Sequence, residues 1–257
     1  MKIKETATII SQECLCSQVY SMWIKTRMAK DARPGQFILV YVGSDSRLLP
    51  RPISICEIGE DRIRIVYRVA GEGTKEMSQL SGADTIDILG PNGNGFFAAC
   101  SGRSYERALL IGGGIGIPPM LELAKELSCE VTVVAGYRSS NEMFLTDELS
   151  REGKLYVATD DGSFGTKGTV VDAVNAEAIE ADVIFACGPL PMLKGVKALA
   201  DRMGIPAYIS MEERMACGVG ACLACVCHSS ETDDHSKVKN KRVCADGPVF
   251  LASEVVL

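Results

Sequence analysis

Four cysteines at fixed intervals near the C-terminus constrain this chain more than any other feature. They run Cys217-x4-Cys222-x2-Cys225, with Cys244 after a further eighteen residues, in "MACGVGACLACVC" and "RVCADGPVF". C-x4-C-x2-C…C is a ligand spacing of [2Fe–2S] clusters, which need four thiolates converging from a tight loop. Gly218 and Gly220 let the backbone wrap closely and turn N–H groups toward the sulfurs, which stabilises the more negative, reduced cluster. A zinc site favours paired C-x2-C knuckles, and only one such pair is present here. Zinc and free thiols stand as the alternatives. Cys227 could replace Cys225, but the spacing favours Cys225. His228 lacks the second half of a Rieske pattern and reads as a solvated loop histidine.

The other cysteines need a reading too, since the 257 residues contain eleven. The start, "MKIKETATII", has no long apolar run, and no stretch is long enough to span a bilayer. A cytoplasmic protein without membrane contact is expected. In a reducing cytosol clustered cysteines mean metal or redox chemistry rather than disulfides. Cys14, Cys16, Cys56, Cys100 and Cys129 are scattered, and most read as small core residues. A net charge of −6 without a basic patch argues against nucleic acid as a partner.

The chain changes texture near residue 105. Before it, "FILVYV" (37–42), "RIRIVYRV" (62–69) and "DTIDILG" (84–90) read as strands with glycine-containing breaks, which predicts an antiparallel β-barrel. A short helix fits "GTKEMSQL" (73–80). After it, apolar strands alternate with helices, from "RALLIGGG" through "PPMLELAKEL", "EVTVVAGY" and "ADVIFACGP" to "PAYISME". That alternation predicts a doubly wound parallel sheet. The polar stretch 228–242 reads as a loop or hairpin.

"LLIGGGIGIPPM" is strand, glycine turn and helix. Gly112, Gly114 and Gly116 would let dinucleotide phosphates approach the backbone, although the spacing is not the strict G-x-G-x-x-G and a purely structural turn is the alternative. "FACGPLPM" (185–192) adds a second strand-end turn in the same sheet, where ligands of parallel sheets bind. In the first half, Arg51 offers a guanidinium to a phosphate or flavin, Ser54 a hydroxyl, Tyr67 a stacking face, and Gly73-Thr74 pyrophosphate donors. Each alone is ordinary barrel surface; together, ahead of a nucleotide-type domain, they are specific. Arg138, after the second nucleotide strand, could face a 2′-phosphate and favour NADP, or form a loop salt bridge.

"PGQF" (34–37), "RPIS" (51–54), "YRVAGEGT" (67–74), "GPNGNGF" (90–96), "GGGIGIPPM" (112–120) and "CGPLPM" (187–192) together resemble the ferredoxin-NADP reductase superfamily. The cysteine tail narrows the resemblance to the electron-transfer (iron–sulfur) subunits of NAD-dependent, class 1B dihydroorotate dehydrogenases. The resemblance implies an FAD-binding barrel over residues 1–100, an NAD-binding α/β domain over 101–210 and a [2Fe–2S] module over 211–257. It implies FAD held by Arg51, Pro52, Ile53 and Ser54, by Val66, Tyr67 and Arg68, and by Gly73 and Thr74. NAD would lie across Gly112–Gly116 and the Cys187-Gly188-Pro189 turn, with Cys187 near the nicotinamide as the candidate catalytic residue. Cys217, Cys222, Cys225 and Cys244 would hold the cluster. Nicotinamide exchanges hydride, a cluster carries single electrons, and FAD converts between them. The implied partner is an FMN-containing (β/α)8 subunit that oxidises (S)-dihydroorotate in pyrimidine synthesis, in a heterotetramer of two subunits of each kind. The alternative is the small subunit of a ferredoxin:NAD(P) oxidoreductase or sulfide dehydrogenase. A zinc-binding adaptor on a degenerate reductase scaffold is a second, non-enzymatic class.

Overall fold

The structure, a computed structural model, describes residues 2–43, 48–101, 103–232 and 237–257. Residues 233–236 of the polar 228–242 stretch therefore lie outside the described residues.

The first half is a closed antiparallel barrel in the order β1-β2-β5-β4-β3-β6. Its strands are β1 (Ile3–Cys16), β2 (Val19–Lys25), β3 (Phe37–Tyr41), β4 (Arg51–Ile58), β5 (Arg62–Arg68) and β6 (Thr85–Asn92), with helix α1 (Glu72–Met77) between β5 and β6. Strand alternation fills the barrel, with Ile63, Ile65 and Tyr67 of β5 turned into one core with Ile9, Ile24, Ile38 and Met77. The long first hairpin does not stand out in the sequence. Most of β1 is polar and solvent-facing, and only Ala7 and Ile9 are buried in it.

After the short helix α2 (Gly95–Ala99) comes a seven-stranded sheet, in the order β10-β9-β8-β7-β11-β12-β15. Its parallel part comprises β7 (Arg107–Gly113), β8 (Glu130–Tyr137), β9 (Lys154–Thr159), β10 (Thr166–Lys167), β11 (Val183–Cys187) and β12 (Ala207–Ser210). The connecting helices are α3 (Pro118–Glu126), α4 (Thr146–Glu152), α5 (Val170–Ala176) and α6 (Leu190–Met203). Pro118 and Pro119 occupy the first turn of α3, where missing N–H groups cost nothing. Thr169 caps α5, and Asp172 returns the bond to the Thr169 N–H. The predicted barrel and doubly wound sheet are both present.

The C-terminal segment forms the hairpin β13 (Val226–His228) and β14 (Asn240–Arg242), then returns as β15 (Val249–Leu251), antiparallel to β12 at the sheet edge. Asn94, in the loop after β6, ties this return to the barrel. Its amide donates to the Val249 carbonyl at 2.8 Å and accepts from the Val249 N–H at 3.2 Å. Gly93 beside it has φ +82°, and a Cβ there would sit 2.3 Å from Pro248. The "GPNGNGF" motif thus fastens the C-terminal segment.

Barrel and sheet share an apolar interface, in which Phe96 meets Phe185 edge-on at 5.6 Å. Beside it lies a charged seam. Buried Arg64 bonds Glu57 at 2.5 Å and Ser21 at 2.8 Å, and Lys125 of α3 closes on the same Glu57. Glu122 of α3 is 6% exposed and accepts the Ile58 N–H at 2.9 Å. Burial lifts its carboxyl from 4.5 to about 7, against the pull of that N–H and Lys125. The folded chain holds this proton where the unfolded chain has lost it. Glu122 therefore contributes most below pH 4.5, and that contribution is lost as pH rises to about 7.

Two outcomes follow from this packing. Asn94→Ala should destabilise the protein by about 2 kcal/mol in denaturant unfolding, because it strands two groups of Val249. Glu122→Gln should match the wild type near pH 5 and exceed it at pH 8 by about 1–3 kcal/mol. Equal stability at both pH values would remove Glu122 as the source of the pH dependence.

Candidate functional site: a cavity and a cysteine loop

One cavity of about 1550 Å³ runs between the barrel and the carboxyl ends of the parallel strands. Typical small-molecule pockets are about 300–1,000 Å³, so there is room for two dinucleotide-sized ligands. At the barrel end it is walled by β4 residues Arg51, Pro52, Ile53 and Ser54, by Val66 and Arg68 of β5, and by Thr74. At the other end it is walled by Gly114, Gly116, Cys187, Gly188 and Pro189. The cavity also brings Met211–Met215 into its wall, and that segment leads directly into Cys217.

Some predicted residues sit differently from the sequence reading. Tyr67 borders the cavity, but its ring is 1% exposed inside the barrel, stacked on Tyr20 at 5.9 Å with its hydroxyl donating to Gln12. It offers no free face for stacking, because strand alternation turns Tyr67 inward and Arg68 outward. Gly112 does not reach the cavity. A Cβ there would meet Ile117 at 2.8 Å, so it admits α3 against β7, and Gly113 takes the place on the wall. Gly73 lies behind Arg51, where a Cβ would sit 2.5 Å from the guanidinium. The Thr74 hydroxyl donates to the Gly71 carbonyl and accepts the Ala70 and Gly71 N–H groups. Arg68 forms an ion pair at 3.1 Å with Glu142 across the cavity. Arg138 is exposed on the wall.

Cys187 ends β11 beside Gly116, whose missing side chain lets the two turns touch. Burial pushes its thiol up to about 12, with the Ser210 hydroxyl pulling the other way, so it is a neutral S–H at physiological pH. Ser210 carries no sequence signal, being one more residue of a strand end. Of the scattered cysteines, Cys56 and Cys100 are buried, Cys16 and Cys129 are half-buried, and Cys14 is exposed. The core reading thus holds for two of these five; Cys14 and Cys16 lie at the end of the polar β1 hairpin.

The four predicted ligands come together as two pairs. Cys217 and Cys222 face each other, each backbone N–H directed to the other's Sγ at 3.4 Å. The Cys244 N–H lies 3.4 Å from the Cys225 Sγ. The loop reaches this form through left-handed backbone at Gly218, Gly220 and Leu223. A Cβ on Gly218 would lie 2.4 Å from Leu39 of β3, so the loop is pressed against the barrel. Arg242 ties the two ligand segments, donating to the Gly220 carbonyl at 3.1 Å and gripping Asp246 at 2.7 Å. The Val219, Cys222 and Ala221 N–H groups bring the Cys217 thiol down to about 6, whereas burial lifts Cys244 to about 12. Cys227 is buried in the apolar core next to this site, and His228 is exposed at the end of a strand rather than in a loop.

Among the described residues no three His, Cys, Asp or Glu side chains converge as they would around one ion. Two thiolate pairs, each supplied with N–H donors, fit a two-iron group in which each iron takes two thiolates and two bridging sulfides. The donor set is all sulfur, as in a four-cysteine [2Fe–2S] site.

Comparison with known proteins agrees with this geometry. Residues 212–256 match the iron-sulfur cluster binding domain of dihydroorotate dehydrogenase B, and residues 110–198 match the oxidoreductase NAD-binding domain. The dihydroorotate dehydrogenase B (NAD(+)) electron transfer subunit of Bacillus caldolyticus is 46% identical over 264 residues, covering 99% of each chain. That of Fusobacterium nucleatum is 44% identical over 266 residues, again covering 99% of each. Among solved structures, an NADH-dependent reduced ferredoxin-NADP oxidoreductase superposes with a TM-score of 0.85 at 31% identity, covering 98% of this chain and 90% of its own. A ferredoxin NADP+ reductase of Neisseria gonorrhoeae, at 15% identity and a TM-score of 0.67 over 82% of this chain and 94% of its own, shares the fold.

Gly73→Ala probes the barrel end of the cavity. The new methyl displaces a flexible guanidinium, so unfolding should change little while FAD affinity falls about tenfold or more, about 1.4 kcal/mol. Fluorescence titration of flavin-free protein measures this. Unchanged affinity would take Arg51 out of the site.

Proposed function

The chain belongs to the electron transfer subunits of dihydroorotate dehydrogenase B (NAD(+)), and on that premise we propose that it passes electrons from an FMN-containing catalytic subunit to NAD+ during oxidation of (S)-dihydroorotate to orotate. The product serves pyrimidine synthesis. The observation that carries this reading is the continuity of the site: the cavity extends from the barrel to the glycine turns, and the segment in its wall leads straight into the cysteine loop.

When bound, NAD exchanges a hydride, FAD trades two electrons for single ones, and the [2Fe–2S] cluster carries one electron at a time. The chain's own residues supply position and environment. Arg51 and Ser54, with Pro52 and Ile53, would hold the flavin from β4, while Val66, Arg68, Thr74 and the backbone of Tyr67 would hold it from β5 and α1. Gly113, Gly114 and Gly116 would let the NAD phosphates approach backbone at the start of α3. Neutral Cys187, held by Ser210, would pack beside the nicotinamide without acting as a nucleophile. Cys217, Cys222, Cys225 and Cys244 would hold the cluster. The proposed division is flavin on residues 1–100, NAD on 101–210 and cluster on 211–257, with β15 crossing back into the sheet.

The partner in this reading is a (β/α)8 subunit, in a complex of two copies of each chain. A cytoplasmic location belongs to the reading, supported by eleven cysteines that form no disulfide. Among the described residues no helix is long and apolar enough to cross a membrane. The 31% identity to a reduced ferredoxin-NADP oxidoreductase favours a second reading, in which the electrons come from ferredoxin.

Anaerobic co-expression with the barrel subunit separates the two. Flavin and iron–sulfur absorbance, with dihydroorotate-dependent NADH formed only when both subunits are present, is the expected result. Coloured protein that makes no NADH from dihydroorotate would point to the ferredoxin reading, and colourless protein would overturn both. NADP+ in place of NAD+ tests Arg138, and NAD+ should be the faster acceptor.

A further inference from the structure

The four cysteines are not equivalent. Cys217 is half-buried and Cys222 exposed, at a lip formed by exposed Val219, Ala221, Leu223 and Ala224. Cys225 and Cys244 are 2% and 1% exposed, in an apolar core with Val243, Phe250 and Leu39.

Backbone donors are divided just as unevenly. Cys217 Sγ accepts the N–H groups of Val219 at 3.5 Å, Ala221 at 3.3 Å and Cys222 at 3.4 Å. Cys222 Sγ accepts that of Cys217 at 3.4 Å. The inner pair receives one donor each, from Gly220 to Cys244 at 3.1 Å and from Cys244 to Cys225 at 3.4 Å. The Arg242 guanidinium near the inner segment is neutralised by its two-point pairing with Asp246, so it does not reverse this imbalance.

A reduced cluster carries one extra negative charge, shared with its thiolates. N–H donors and water both stabilise that charge, and an apolar core does not. The geometry points to the iron held by Cys217 and Cys222 as the one that takes the electron, with the iron held by Cys225 and Cys244 staying ferric. This assignment rests on the cluster reading above. The step is one electron from a reduced flavin to a diferric cluster, giving one ferrous and one ferric iron. No bond to sulfur forms or breaks. The electron then resides beneath the exposed lip rather than in the core.

Serine substitution tests the assignment in the full chain carrying its cofactors. Serinate holds ferric iron more tightly than thiolate does, so it opposes reduction most on the iron that accepts the electron. Redox titration followed by electron paramagnetic resonance should show the reduced-to-oxidised ratio of Cys222→Ser about tenfold lower than wild type at the wild-type midpoint, a shift of about 59 mV. Cys244→Ser should move less. A larger effect at Cys244, or equal effects, overturns the assignment and leaves the cluster reading intact. Should Cys244→Ser fail to assemble, proton magnetic resonance of the reduced protein decides. The resonances lost in Cys222→Ser should show the temperature dependence of a ferrous site in the wild type, and ferric behaviour would overturn the proposal. Wild-type protein with no iron–sulfur signal would overturn the cluster reading along with it.

Discussion

The backbone of Val249 is claimed from two sides. Asn94 of the barrel loop bonds both its N–H and its carbonyl, and β15, which Val249 begins, pairs along β12 at the edge of the parallel sheet. Barrel, sheet and cysteine segment therefore meet at one residue. The cysteine loop lies between two fixed points, Ser210 at the end of β12 and Val249 on β15. Its contact with Leu39 follows from that anchoring. Without it the loop would be a tether leaving the sheet, and the cavity wall at Met211–Met215 would have no fixed position.

What the sequence disclosed depended on how local the physics was. The cysteine spacing was legible because ligand chemistry is set within a few residues, and the structure pairs those four cysteines. The strand and helix alternation after residue 105 was legible because apolar periodicity is also local. Tyr67 was misread because a motif names residues but not the face of a strand. The alternation in "RIRIVYRV" already put Tyr67 with Ile63 and Ile65, which is the barrel interior. Gly112 and Gly113 differ only in which of them meets α3, and that depends on a helix whose placement is tertiary. Asn94 sits in the "GPNGNGF" motif, but its partner Val249 lies far along the chain and the motif does not name it, while Ser210 left no trace because its neighbour is on another strand. The hairpin of β1 and β2 was hidden by polar residues facing water.

The two halves of the cavity are held in different ways. On the apolar side Phe96, Phe185 and Tyr208 stack and cross. On the polar side buried Arg64 pairs with half-buried Glu57, and Lys125 closes on the same carboxylate from the surface. Such pairs lose in desolvation much of what they gain by attraction, but they penalise misplacement heavily. The apolar contact supplies adhesion and the charged seam supplies orientation. The geometry of a site whose two walls come from different halves depends on the second as much as the first.

The return of β15 also orders events in time. As the chain leaves the ribosome, β12 is complete well before β15 exists, so the edge of the sheet stands open while the whole cysteine segment is made. That edge closes only once β15 has been made. The enclosure around Cys225 and Cys244 therefore forms after the sheet behind it, and the loop passes through a stage when its sulfurs are still open.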